Sequence, residues 1–142
     1  MKVPQVVLDT NVLVSGLRSR RGASNRLLGL VGKGLFEINL SVALVLEYEA
    51  VLKRLVTELP YSLGEIDEFM AYLCEVGQPR RIYYHWRPML SDANDEFVLE
   101  LAVAAQCQYL VTFNRAHYRG AEQFGIHVVT PREFLQEIGE LS

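Results

Sequence analysis

At 142 residues, half of them hydrophobic and 22% charged, the chain has material for one domain with an ordinary core, which excludes disorder as a global description. The net charge of −3 excludes a protein that holds nucleic acid by bulk positive charge, and leaves local basic clusters to do such work. No apolar run approaches the roughly 20 residues of a membrane span, and the opening MKVPQVVLDTN meets Asp9 too early for a secretory signal, so a cytoplasmic protein is expected.

The elements follow in chain order. Lys2–Leu8 is a β-branched run with Val3, Val6, Val7 and Leu8. Apolar residues at consecutive positions predict a strand buried on both faces, as in a parallel sheet. Asp9, Thr10 and Asn11 interrupt it, and a short helix follows over Val12–Leu17. Arg18–Gly22 is read as a basic loop, and Ala23–Val31 as a helix stopped at Gly32 and Gly34. Leu35–Leu40 alternates Phe36, Ile38 and Leu40 against Glu37 and Asn39, which predicts a strand with two unlike faces.

Ser41 caps a helix over Val42–Val56, and Ser62 with Glu65 forms a capping box opening a helix to Val76. Gly77–Pro79 is read as its end, and Arg81–Tyr84 as a third strand. A helix from Asp92 to Gln106 leads to a fourth strand at Tyr109–Thr112, and a fifth is expected at Ile126–Val129. Thr130, Pro131 and Glu133 combine a capping box with proline at the first helical position, opening a last helix to Ile138. Strands alternating with helices predict a three-layer α/β/α fold with a central parallel sheet of about five strands, in a single domain over 1–142.

Cys74 and Cys107 form no close pair and sit in apolar helical patterns, so both are expected as small buried thiols. His85, His117 and His127 lack the spacing of a zinc site. The chemistry therefore rests on carboxylates.

Asp9 ends the first strand, where open α/β sheets place their sites. It is either a helix cap or a site residue. Glu47 shares a helix line with Ala43, Ala50 and Val51, and so is expected to face inward, whereas Glu49 pairs outward with Lys53. An inward carboxylate needs a cation or hydrogen-bond donors; the alternative is a boundary residue paired with an arginine. Asp92 reads first as a helix cap. Asp95 lies on the face of Val98, Leu99 and Ala102 and is expected at the core edge near the strand ends. Acids from three elements gathered at one end of a sheet require a compensating cation, and hard oxygen ligands select Mg²⁺ or Mn²⁺. No Ser-His-Asp set and no phosphate-binding glycine loop is evident. A phosphatase using Asp9 as nucleophile would need a second acid where Asn11 stands.

The segments VVLDTNVLVSGL (6–17), LEYEAVL (46–52), SDANDEFVLELA (91–102), YLVTFNRAHY (109–118) and VVTPREFL (128–135) together resemble the PIN-domain family, and within it the toxins of type II toxin–antitoxin pairs related to VapC-type ribonucleases. The resemblance implies a Mg²⁺- or Mn²⁺-dependent endoribonuclease with Asp9, Glu47 and Asp95 as metal-binding acids and Asn11 in support. Where many members carry a fourth Asp, VTFN places Asn114, which brings no negative charge; Asp92 is the residue that would compensate for it, and Thr112 would bind a metal-bound water or phosphate. Arg18, Arg20, Arg21 and Arg115, the last followed by His117, are candidates for contact with the RNA backbone. The resemblance also implies an antitoxin partner and a homodimer, with Tyr83–Trp86 as candidate interface aromatics. Asn114 motivates the alternative, an RNA-binding or regulatory module of the same fold with weakened catalysis.

Overall fold

A computed structural model describes residues 2–82 and 93–142, with side chains resuming at Phe97. Five strands form one parallel sheet: β1 (Gln5–Leu8), β2 (Glu37–Leu40), β3 (Gln78–Pro79), β4 (Tyr109–Val111) and β5 (His127–Val129), in the order β3-β2-β1-β4-β5. Six α-helices connect them: α1 (Thr10–Arg18), α2 (Ala23–Leu30), α3 (Val42–Arg54), α4 (Leu63–Val76), α5 (Ala93–Ala104) and α6 (Pro131–Glu137).

The sheet is covered on both faces. Val6, Val7 and Leu8 of β1 are all essentially inaccessible, as consecutive residues of a central parallel strand must be. α5 lies against β1, β2 and β4, while α6 packs on β4, β5 and α2, giving the three-layer α/β/α arrangement. Phe134 of α6 anchors one layer, with its ring edge-on to Phe36 at 5.1 Å and to Tyr109 at 5.2 Å.

Capping chemistry sets the helix starts. Ser62 with Glu65 and Thr130 with Glu133 each form both halves of a capping box, and Pro131 occupies the first turn of α6. α5 ends at Ala104 without a glycine: Gln106 takes the left-handed conformation (φ 54°), and the Cys107 amide reaches back to the Ala102 carbonyl at 2.9 Å.

Three expectations need correction. The third strand is Gln78–Pro79, paired with Asn39 and Leu40; Arg81 and Ile82 are not in a strand, and Tyr83 and Tyr84 lie outside the described residues. Gly77 allows this early start. A Cβ there would lie 2.8 Å from the Leu73 carbonyl oxygen and against the Leu40 side chain, so only glycine lets the chain turn from α4 directly into the sheet edge. Pro79 fits an edge strand, and the Arg80 amide extends the ladder to the Leu40 carbonyl at 2.8 Å. Second, β2 has no solvent face at Asn39, which is fully buried. Third, Cys74 is exposed on α4, and only Cys107 is buried; burial pushes the Cys107 thiol up to about 12, against a smaller opposing pull from Arg80.

Candidate active site

The strand order reverses direction between β1 and β4. Chain that has moved outward from β1 through β2 to β3 returns to the other side of β1 to form β4. At such a switch point the connections leave the two strand ends in opposite directions and open a crevice. Asp9 and Thr112 stand there, each one residue beyond a strand end. The Asp9 amide bonds the Val111 carbonyl at 2.9 Å, and the Thr112 amide bonds the Val129 carbonyl at 2.8 Å.

Asp9 is 7% exposed and both caps α1 and faces the crevice. Its Oδ1 accepts the Thr10 amide at 2.8 Å. Its Oδ2 accepts the Thr112 hydroxyl at 2.8 Å and the Tyr118 hydroxyl at 2.9 Å, with the Asn11 amide at 3.4 Å. Among the described residues, no lysine, arginine or histidine pairs with Asp9. The carboxylate is thus held by neutral donors, none of which is a counter-ion to it.

The neighbouring groups are tied to this carboxylate. Thr112 is fully buried. Besides donating to Asp9, its hydroxyl accepts the Asn114 backbone amide at 3.0 Å and the Asn11 side-chain amide at 3.3 Å. Its support of the site therefore runs through Asp9. The Asn11 carbonyl accepts the Phe113 amide at 3.3 Å, tying α1 to the loop after β4.

Thr10 carries the link to the second acid: its hydroxyl donates to Glu47 Oε2 at 2.6 Å. Glu47 is half-buried on α3. The core face of that helix is Leu44, Tyr48 and Leu52, and Ala50 is exposed. Glu47 therefore lies on the flank of α3 facing α1, and not on a core line as its spacing predicted. Tyr48, the next residue, donates its hydroxyl to the Leu8 carbonyl beneath the acids. Burial first, then the negative charges of Asp9 and Glu47, hold its phenol well above its ordinary range.

A family model described as PIN domain matches residues 5–116, most of the chain. The chain belongs to the PIN domain family. Among curated proteins, none matches the sequence. Among solved structures, VapBC2 from Rickettsia felis, bound to a DNA fragment from their promoter, contains a similar chain: 13% identity over 96% of this chain and 95% of that one, with a TM-score of 0.55. At that identity the likeness concerns the fold.

Of the acids that the PIN motifs single out, Asp9 and Glu47 are brought together through Thr10. Asp95 is the third residue of α5, and its side chain is not among those described; Asp92 lies outside the described residues. No group of three metal-ligating side chains occurs among the described residues. The oxygens of Asp9 and Glu47, the first deeply buried and lacking a cationic partner among those residues, fit a hard divalent cation in charge and donor type. Asn114 is exposed and turns its backbone amide, at 3.0 Å, into Thr112.

The arginines divide. Arg18 stands on a groove of about 470 Å³ running from Thr10 and Asn11 along Ser15 to Ser19, with Val51 of α3 opposite. Its contact with Glu58 at 3.2 Å is solvent-exposed. Arg20 and Arg21 lie in the exposed loop after α1. Arg115 binds both carboxylate oxygens of Glu133, at 3.1 and 3.2 Å. Glu133 is held below its ordinary pKa first by the Thr130 backbone amide and to a smaller degree by Arg115.

Tyr118 was not singled out by sequence reasoning. It sits at the end of a short 3-10 turn, Arg115–Tyr118, with a buried ring. No periodicity marks such a turn; the available signal is a tyrosine, which needs a hydroxyl partner when buried, six residues after a strand-end Thr.

Proposed function

We propose that this PIN domain is a Mg²⁺- or Mn²⁺-dependent endoribonuclease that hydrolyses RNA phosphodiester bonds, and that it acts as the toxin of a toxin–antitoxin pair. The carrying observation is a buried carboxylate at the switch point of the sheet, held by neutral donors and joined through one hydroxyl to a second acid. Asp9 and Glu47 hold the cation, with Asp95 completing the set by its motif position. When bound, such a cation activates water and neutralises charge developing on the phosphate.

The remaining roles fall to neighbouring residues. Thr10 fixes the spacing of Asp9 and Glu47, and Asn11 braces the crevice wall formed by the loop after β4. Arg18 meets the RNA backbone along the α1 groove. Arg115, engaged by Glu133, contributes less.

The toxin reading draws on the sequence motifs and on the fold shared with a VapBC2 chain. A protein partner is supported by a second groove, lined by Val42, Leu46, Phe97 and Arg81, where Val42 is 77% and Leu46 60% exposed. An antitoxin would also cover the acidic crevice with a basic side chain. No helix among the described residues is long and apolar enough to cross a membrane, in keeping with the cytoplasmic setting proposed for such a toxin.

The deciding experiment incubates a defined RNA set with the protein, with and without EDTA. The proposal expects metal-dependent cleavage, abolished in Asp9→Asn. The second reading, a module with weakened catalysis, is favoured by Asn114 at the fourth motif position; it expects calorimetric binding of Mg²⁺ and RNA without cleavage.

A further inference from the structure

Asp9 is held unequally by its surroundings. A carboxylate offers about two in-plane lone-pair directions on each oxygen. On Oδ2 both are taken, by the Thr112 hydroxyl at 2.8 Å and the Tyr118 hydroxyl at 2.9 Å, with the Asn11 amide as a longer contact at 3.4 Å. The two donors lie at opposite ends of the loop that follows β4, and both residues are almost wholly buried. Oδ1 accepts the Thr10 amide at 2.8 Å. That bond is local to the helix cap and uses one of its two directions.

We propose that Tyr118 is a positioning residue for the cation site: with Thr112 it occupies Asp9 Oδ2 and fixes the rotation of the carboxylate, so that Oδ1 alone is presented to a divalent cation and Asp9 binds it through one oxygen. The inference rests on the metal-binding reading given above and adds to it a residue and an atom. Hydrogen bonds from hydroxyls to an ionised carboxylate are charge-assisted and short, and they resist rotation of the group. Outer partners of this kind orient a ligand, and their loss typically costs about 10- to 100-fold in metal affinity. Tyr118 suits the role because its ring is locked in the core, at 1% exposure, and its hydroxyl reaches Asp9 Oδ2.

The test is Mn²⁺ binding to the whole protein, followed by electron paramagnetic resonance, for wild type, Tyr118→Phe and Tyr109→Phe. Tyr109 serves as control because its hydroxyl meets Glu137, on another part of the surface. The inference expects about tenfold weaker binding or worse in Tyr118→Phe, and no change in Tyr109→Phe. Wild-type protein carrying ¹³Cζ-tyrosine provides a readout that needs no variant to fold: the Tyr118 resonance should shift with Mg²⁺ and broaden with Mn²⁺, well before that of Tyr109. Wild-type binding matched within twofold by Tyr118→Phe, or a Tyr118 resonance indifferent to either ion while the protein binds Mn²⁺, overturns this inference and leaves the metal reading standing. Wild type that takes up no Mn²⁺ overturns the metal reading, and this inference with it.

Discussion

Asn39 and Asp9 are both buried polar side chains of the sheet, and their surroundings are built differently. On the β2 side, Asn39 is inaccessible, and its amide donates to Gln5 Oε1 at 3.1 Å and to the Val6 carbonyl at 3.2 Å. Its carbonyl accepts Arg80 Nε at 2.9 Å. Donors and acceptor are matched, and the group is neutral. At the β1/β4 switch point, Asp9 is also hydrogen-bonded, but it is a carboxylate and meets no cationic side chain among the described residues. Burial of a polar group is therefore no mark of a site. A buried carboxylate with side-chain donors filling one oxygen and a single backbone amide on the other is such a mark, since the remaining demand is for a cation.

Substitution can break this contrast. The largest effect belongs to Asp9→Asn, which keeps the shape and removes the charge. Mn²⁺ affinity should fall more than about a hundredfold, beyond what even an outer partner costs, while the midpoint of urea unfolding stays level or rises. A large loss of stability without loss of metal binding would place Asp9 among structural groups.

The converse change is Asn39→Leu, which removes the buried amide's bonds to Gln5 and the Val6 carbonyl and the acceptor of Arg80. It should lower unfolding free energy by about 1–3 kcal/mol and leave Mn²⁺ binding unchanged, as read from urea melts and metal titration. Loss of metal binding there would couple the two regions.

Arg18→Ala sharpens the comparison on the RNA side. The slope of log affinity against log salt for a single-stranded RNA should fall by about one. Arg115→Ala, whose partner is Glu133, should change it less; equal slopes for both would remove the α1 groove from the account.

The smallest effect concerns pH. Glu133 has its folded pKa lowered, first by the Thr130 amide, so its contribution to stability is present above its ordinary value of 4.5 and fades as pH falls through the folded value. The stability gap between wild type and Glu133→Gln should be seen at neutral pH and close below that range. A gap that widens in acid would reverse the sign.

Much of the frame was legible in the chain because it rests on local signals. Val6-Val7-Leu8 declares a strand covered on both faces, and the Ser62/Glu65 and Thr130/Glu133 boxes declare helix starts. Asp9 was legible as a carboxylate at a strand end. What escaped depends on the tertiary arrangement. β3 has two residues and exists through its pairing with β2, so no periodicity announces it. Asn39 follows an outward alternation yet is enclosed, because Arg80 and Gln5 complete its bonds. Glu47 turns to the flank because Tyr48 takes the inward position. Tyr118 reaches Asp9 across 109 positions of sequence, from a turn with no repeating pattern.

Diffraction from a Mn²⁺-soaked crystal, measured at the manganese absorption edge, tests the central claim most directly. The account predicts an anomalous peak at the β1/β4 crevice, within coordination distance of Asp9 Oδ1 and of Glu47, with Asp95 as a further ligand. A crevice with no peak at saturating Mn²⁺, or a peak that contacts Asp9 through Oδ2 with the Tyr118 bond broken, would contradict it.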